Sequence, residues 1–249
     1  MFLRLSNKIL RPLGFQLDRL PESKPVLYPP TSAERSAINS ILSDFAAQQD
    51  PSKKKLSSAD KWKVYLNDIR LSFFEELLKV ASNYSLDPGG KKIADFGSGT
   101  GYLLRLINRD APDTELVGYD TFDEVRELSE RICPEASYLA DFDDDDQKFD
   151  IIFCTEVLEH LKFPADRVHK FIDRLNPGGQ LVLKVPNGRT DTLIARNERE
   201  DGTGYWGHIN FWSPESWQLF LEDAVNDVAK VETQLMPTGG NFALVTLNQ

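Results

Sequence analysis

Cysteine, histidine and methionine are scarce in this chain of 249 residues, which holds 2, 3 and 2 of them respectively. Cys133 and Cys154 stand too far from any other thiol in the sequence to suggest a disulfide framework or a cysteine metal site, in keeping with a reducing compartment, and both read as small core residues. Long apolar runs are also missing. No stretch approaches the roughly 20 residues needed to span a bilayer. The N-terminal MFLRLSNKILRPLGF interrupts its apolar residues with Arg4, Lys8 and Arg11 and lacks the continuous core and cleavage site of a secretory signal, so a cytoplasmic protein is expected. An excess of positive charge is absent as well: 29 Lys+Arg against 39 Asp+Glu give a net charge of −10, which excludes a general nucleic-acid coat and leaves no nucleic-acid partner expected.

Residues 21–30, with four prolines, separate the first 20 residues from the rest. A short helix is expected over 33–48, followed by a polar stretch at 50–58, so 1–58 reads as an appendage to a domain over 59–249. From there Trp62, Leu66, Ile69, Phe73, Leu77 and Val80 recur at spacings of three and four, which predicts an amphipathic helix ending before Asp87-Pro88-Gly89-Gly90. Strands expected at 91–96, 114–120, 136–140, 149–154 and 179–185 alternate with helices at 101–110, 122–131, 165–175 and 214–223. That alternation implies parallel crossovers and a doubly wound α/β sheet. Residues 228–236 and 242–248, with no room for a crossover helix between them, should form an antiparallel hairpin. The acidic run Asp143 to Asp146 reads as a solvated loop.

The most informative segment is Asp95-Phe96-Gly97-Ser98-Gly99-Thr100-Gly101. A strand ends in an acid, turns through three glycines spaced two apart and enters a helix, as needed where the backbone must turn tightly and admit a ligand. Dinucleotide folds favour G-x-G-x-x-G with pyrophosphate on the helix N-terminus. Here the Asp would repel a pyrophosphate and suit a cationic amino-acid ligand, which favours S-adenosylmethionine and disfavours a nicotinamide oxidoreductase. Asp120, with Thr121 beside it, closes the second strand where a carboxylate accepts both ribose hydroxyls; Asp141 is placed to accept from an adenine amino group and Phe142 to cover the ring.

With these motifs in order, the chain resembles the class I S-adenosylmethionine-dependent methyltransferases over about residues 60–249, including the runs FDIIFCTEVLEHL and LNPGGQLVLKVPN. The resemblance implies a Rossmann-like, mostly parallel seven-stranded sheet, a Pro177-Gly178-Gly179 turn before the fifth strand, and a cofactor lined by Gly97, Ser98, Gly99 and Gly101, with Asp120 on the ribose and Asp141 and Phe142 at the adenine.

After the fourth strand stands Thr155-Glu156-Val157-Leu158-Glu159-His160. In a helical turn, 156, 159 and 160 share a face, and with His208 they form a candidate divalent-metal site, Glu156 being counted among the cofactor-side residues as well. This cluster is similar to that of the ubiquinone-pathway O-methyltransferases and, more distantly, the small-RNA 2′-O-methyltransferases, which implies Mg²⁺ or Zn²⁺. The alternatives are a histidine acting without metal and a structural turn. For the base, His208 is the first choice and His160 the second.

Residues 186–213 form a long connection, hence a functional one, offering Asn187, Arg189, Arg196, Arg199, Tyr205, Trp206 and Trp212; Tyr205, Trp206, Arg189 and Trp212 are the expected acceptor contacts. Residues 1–13 place Phe2, Leu5, Ile9 and Leu13 opposite Arg4, Lys8 and Arg11, a basic amphipathic helix suited to an anionic membrane or a lipid-linked substrate, the alternative being packing on the domain or on a second subunit. The expected activity is O-methyl transfer to a small, glycan-like or lipid-linked acceptor by a monomer or homodimer. A regulatory module that binds the cofactor without chemistry, and N- or C-methyl transfer, remain the alternatives, since fold does not fix chemistry.

Overall fold

The computed structural model describes residues 31–48, 66, 68–192 and 207–248. Seven strands, β1 Lys92–Phe96, β2 Glu115–Tyr119, β3 Ser137–Leu139, β4 Phe149–Thr155, β5 Leu175–Pro186, β6 Ala229–Leu235 and β7 Gly240–Leu247, form one sheet in the order β3-β2-β1-β4-β5-β7-β6. β1 to β5 pair in parallel, and β7 inserts antiparallel between β5 and β6. The helices are α1 Ser32–Gln48, α2 Asp68–Asn83, α3 Tyr102–Asp110, α4 Asp123–Ile132, α5 Pro164–Arg174 and α6 Pro214–Val225. The doubly wound, Rossmann-like sheet with its C-terminal hairpin is the architecture the alternating pattern predicts. Among the described residues no helix is long and apolar enough to cross a membrane.

The two-residue period of the strands sorts their side chains onto opposite faces. Ala94, Ile152, Leu181, Leu183, Ala243 and Val245 meet α5 and α6 through Phe171, Trp217 and Leu221. Ile93, Ile151, Phe153, Val182, Phe242 and Leu244 meet α2 and α3 through Leu77, Ala81, Leu103 and Leu104. A third cluster joins α1 (Ile38, Leu42, Phe45) to Tyr102 and Leu106 of α3 and to Leu128 and Ile132 of α4. α1 is therefore packed into the same unit as the sheet-covering helices, which corrects its assignment to an appendage over 1–58: its apolar stripe has a face to bury there.

Two local expectations change, at Pro177-Gly178-Gly179 and at Phe142, while the acidic run is the exposed loop expected, with added anchors. Pro177-Gly178-Gly179 is not a turn ahead of the strand. It lies within β5 as a bulge, where pairing jumps from Phe149↔Leu175 to Ile151↔Gln180 and Gly178 takes φ 73°. The acidic run is anchored: Asp143 bridges Arg167 (2.6 Å) and Lys170 (2.5 Å), while Asp145 accepts from the Tyr119 hydroxyl and from the Gln147 amide (2.6 Å). Phe142 is buried, stacked on Phe149 at 6.3 Å and edge-on to Phe96, Tyr119 and Phe171. Its ring belongs to the core and offers no face to an adenine.

This aromatic cluster secures the loop after β3. Phe171→Ala, which removes the ring contacted by Phe96, Phe142 and Arg167, should lower the unfolding free energy by about 3–5 kcal/mol, read from denaturant titration with an unchanged slope.

Candidate active site

The strand order reverses direction between β1 and β4, and ligands of open α/β sheets sit in the crevice outside the carboxyl ends at such a point. The glycine loop leaves β1 there, and the turn after β4 faces it. Gly97 (φ 76°) cannot carry a side chain, because a Cβ would lie 2.4 Å from Val157 Cγ2 of that turn. Gly101 caps α3 in the left-handed region (φ 75°). At Gly99 a Cβ would meet nothing nearer than the Gly97 carbonyl at 3.9 Å, so the loop has one open face.

Asp95, at the base of this loop, is 2% exposed, and its Oδ1 has no hydrogen-bond partner among the described residues. Burial, with the Asp120 carboxylate adding to it, pushes its pKa up to about 7. Asp120 accepts the Gly99 N–H (3.1 Å) through Oδ2 and the Phe122 N–H (3.0 Å) through Oδ1, and burial raises its pKa as well. A buried, unpartnered carboxylate beside a glycine cradle fits a ligand bearing a fixed positive charge, such as the amino group of S-adenosylmethionine. Ser98 is turned away: its N–H donates to the Tyr119 carbonyl (2.9 Å), and its hydroxyl lies where a Cβ of Gly118 would be 2.9 Å away. It holds the loop to β2 and presents no side chain to the crevice. Thr121 and Asp141 are exposed at the same end of the sheet, Asp141 Oδ1 accepting from the Asp143 N–H (2.8 Å). Phe122, beside Asp120, is 70% exposed, and no motif in the sequence marks it.

The turn after β4 is tighter than the expected α-helical one. Leu158–His160 is a 3₁₀ turn, and Glu156 before it has φ 57°, so Glu156 does not share a face with 159 and 160. Its carboxylate is held by Lys184 of β5, which corrects its expected place in the metal set. Residues 207–210 are stapled onto the turn: the Ile209 and Asn210 N–H groups donate to the Glu159 carbonyl (2.9 and 3.1 Å), and Asn210 Nδ2 donates to the Leu161 carbonyl (2.7 Å). The staple brings His208 to His160, ring centroids 4.7 Å apart.

Between them lies Glu159, fully buried, with neither carboxylate oxygen hydrogen-bonded among the described residues; Nε2 of each histidine stands 4.0 Å from its Oε1. Burial, then the nearby Glu156, pushes the Glu159 pKa well above its ordinary value. Burial and the second imidazole hold the His160 pKa below its ordinary value. His208 Nδ1 is 2.8 Å from Asp191 Oδ2, a bond that fixes the tautomer and leaves Nε2 as the lone-pair nitrogen facing Glu159. Glu159, His160 and His208 present ligand atoms within 4.8 Å of one another.

The expected acceptor contacts fare unevenly. Tyr205, Trp206, Arg196 and Arg199 lie outside the described residues, as do residues 1–30. Trp212 is buried against Trp217 and Phe220, so its ring has no face for an acceptor, while Arg189 is an exposed side chain paired with Glu215 at 2.7 Å.

A profile described as "Methyltransferase domain" matches residues 65–224. The chain belongs to this family. The ubiquinone biosynthesis O-methyltransferase of Schizosaccharomyces pombe is 29% identical over 139 residues, 53% of this chain and 48% of that protein. The tRNA U34 carboxymethyltransferase of Campylobacter hominis is 35% identical over 107 residues, 39% and 37% of the two chains. Such matches span about half or less of the length of these relatives. The plantazolicin methyltransferase BpumL, solved with a monoazolic desmethylPZN analogue and S-adenosylhomocysteine, superposes with a TM-score of 0.63 over 87% of this chain and all of that one, at 12% identity. Residues 65–224 are thus a methyltransferase domain of the class I, S-adenosylmethionine-dependent type.

The buried acid of this methyltransferase generates a pH prediction. Asp95 binds a proton more tightly folded (about 7) than at its ordinary 3.8, so between those values the folded state holds the extra proton and stability falls as pH rises. Asp95→Asn lacks this loss. Urea unfolding of the ligand-free protein should show the variant gaining on the wild type from pH 4 to 7 and holding level above; a constant difference would contradict the assignment.

Proposed function

We propose that this methyltransferase acts on an oxygen of a small, glycan-like or lipid-linked acceptor, and that Glu159, His160 and His208 hold a divalent cation beside the acceptor. The observation that carries the reading is the buried Glu159 carboxylate, unpartnered and flanked by two imidazoles. A charge so placed is costly unless a cation meets it. Two histidines and one carboxylate form the protein half of a catalytic metal site with an open position. Bound there, a divalent cation would lower the pKa of an acceptor hydroxyl and orient its oxygen.

The protein's own residues have limited tasks, because methyl transfer is an in-line displacement that needs alignment and loss of one proton. The glycine loop and Asp95 fix the amino-acid end of the cofactor, Asp120 accepts from the ribose, and Asp141 borders the adenine. Asp191 orients His208; a nitrogen that holds the cation has no lone pair left for the acceptor's proton, which then leaves to solvent, whereas without metal His208 Nε2 would be the first candidate base and His160 the second. The basic amphipathic pattern of residues 1–13 supports a lipid-linked acceptor or an anionic surface.

The test is S-adenosylhomocysteine release with phenolic and glycan acceptors, with and without chelator. Glu159→Gln and His208→Ala should each lower kcat by about 10²–10⁴-fold while S-adenosylhomocysteine affinity stays within about twofold of wild type. Full turnover by Glu159→Gln in the presence of chelator would refute the reading.

A further inference from the structure

A cavity of about 190 Å³ opens between α6 and the edge strand β6, its wall including Trp217 and Gln218 of α6, Thr233 and Leu235 of β6, and Asn241 of β7. It lies at the end of the sheet where β5 finishes, Val185 and Pro186 pairing with Asn241 and Gly240. None of its lining residues belongs to the glycine loop or to the turn after β4.

Two of the wall residues carry a buried polar atom that nothing satisfies. Trp217 is fully buried and Asn241 is 1% exposed, yet Trp217 Nε1 and Asn241 Oδ1 have no hydrogen-bond partner among the described residues. Folded proteins leave few such atoms, because each gives up its bond to water and gains nothing in return. Both side chains are also fixed. Asn241 Nδ2 donates to the Trp212 carbonyl (2.7 Å) and to the Pro186 carbonyl (3.3 Å), which sets the amide and leaves its oxygen as a free acceptor. The Trp217 indole is stacked on Phe220 (centroids 5.8 Å) and packed against Trp212 (5.2 Å), and its N–H can only donate.

The wall therefore offers one rigid donor and one rigid acceptor. An anion would satisfy the indole and meet the Asn241 oxygen with repulsion; a cation would do the reverse. A neutral group with a carbonyl oxygen beside an N–H answers both, and that group is the amide. A single water would fill only about 10–15 Å³ of such a space. The volume is below the several hundred Å³ of sites for drug-sized molecules, so it suits one small group.

We propose that this cavity is a ligand site separate from the methyl-transfer crevice and that it takes an amide, the Trp217 indole donating to its carbonyl oxygen and Asn241 Oδ1 accepting from its N–H. The site does not depend on the cation reading of the preceding section.

NMR of the tryptophan indole N–H groups during titration of the full chain reads the site directly, with Trp217→Phe identifying the Trp217 resonance. N-acetylglucosamine and pyrrolidone, an acetamido sugar and a lactam, represent two sources of the amide; glucose and cyclopentanone are their counterparts without the amide N–H. At least one amide should shift the Trp217 resonance downfield to saturation and bind on the order of 10-fold more tightly than its counterpart; which one does so distinguishes the sources. Thr233→Phe narrows the cavity from the edge strand and leaves Trp217 and Asn241 in place. It should weaken amide binding on the order of 10-fold by calorimetry, with S-adenosylhomocysteine affinity within about twofold of wild type, and this arm decides the matter if Trp217→Phe does not fold. Equal binding of each amide and its counterpart, undiminished binding by folded Thr233→Phe, or no response to any of the four compounds would each overturn the proposal.

Discussion

The energetics of the crevice turn on one buried charge. Glu159 has no solvent and no hydrogen-bond donor for its carboxylate among the described residues, and the surrounding fold is arranged around that fact. The 3₁₀ turn that carries it is held by Ile209 and Asn210, which donate to its main chain and not to its side chain. The carboxylate therefore stays open toward His160 and His208, and Asp191 sets which nitrogen of His208 faces it. Glu159 can be relieved by a proton, as its upward-shifted pKa describes, or by a cation. In the second case the ion supplies the charge that the protein withholds, and the local pKa logic inverts.

A parallel arrangement holds the cofactor side. Asp95 is likewise buried, its Oδ1 without a partner among the described residues, at the base of a loop whose glycines are required by contact with Val157 and by positive φ. Val157 belongs to the same turn as Glu159. The glycine loop and the turn that carries Glu159 thus touch directly, so a change in one is felt in the other. Aromatic packing through Phe96, Phe142 and Phe171, with Arg167 tying α5 to Asp143, fixes the remaining wall.

Sequence reasoning reached those parts whose chemistry is local. The glycine loop, its acid and the helix that follows are contiguous, and their spacing alone favours a cationic ligand. The alternation of strands and helices is equally plain, and with it the sheet. His208 could be paired with the 156–160 segment because histidines are so few. What could not be read are pairings across strands: Lys184 looks like one polar residue in an apolar run, and only the register of β4 with β5 puts it opposite Thr155 and within reach of Glu156. Asp191 and Asn210 carry no motif: Asn210 staples segments 52 residues apart, and Asp191 reaches His208 across 17. Phe142 and Trp212 stand where sequence position suggests a ligand platform, but the core around each ring decides the direction in which it points. Phe122, with the opposite orientation, has the exposure that Phe142 lacks.

The account's central claim is that Glu159, His160 and His208 are ligands of one ion. The most direct measurement is anomalous diffraction at the zinc edge from crystals of the complex with S-adenosylhomocysteine grown with Zn²⁺. The account predicts a single strong peak among the three residues, at about 2.0–2.2 Å from both histidine nitrogens and a Glu159 oxygen, with Glu156 still on Lys184. Well-ordered side chains with no peak between them, and Glu159 bonded to a neighbouring donor, would contradict it.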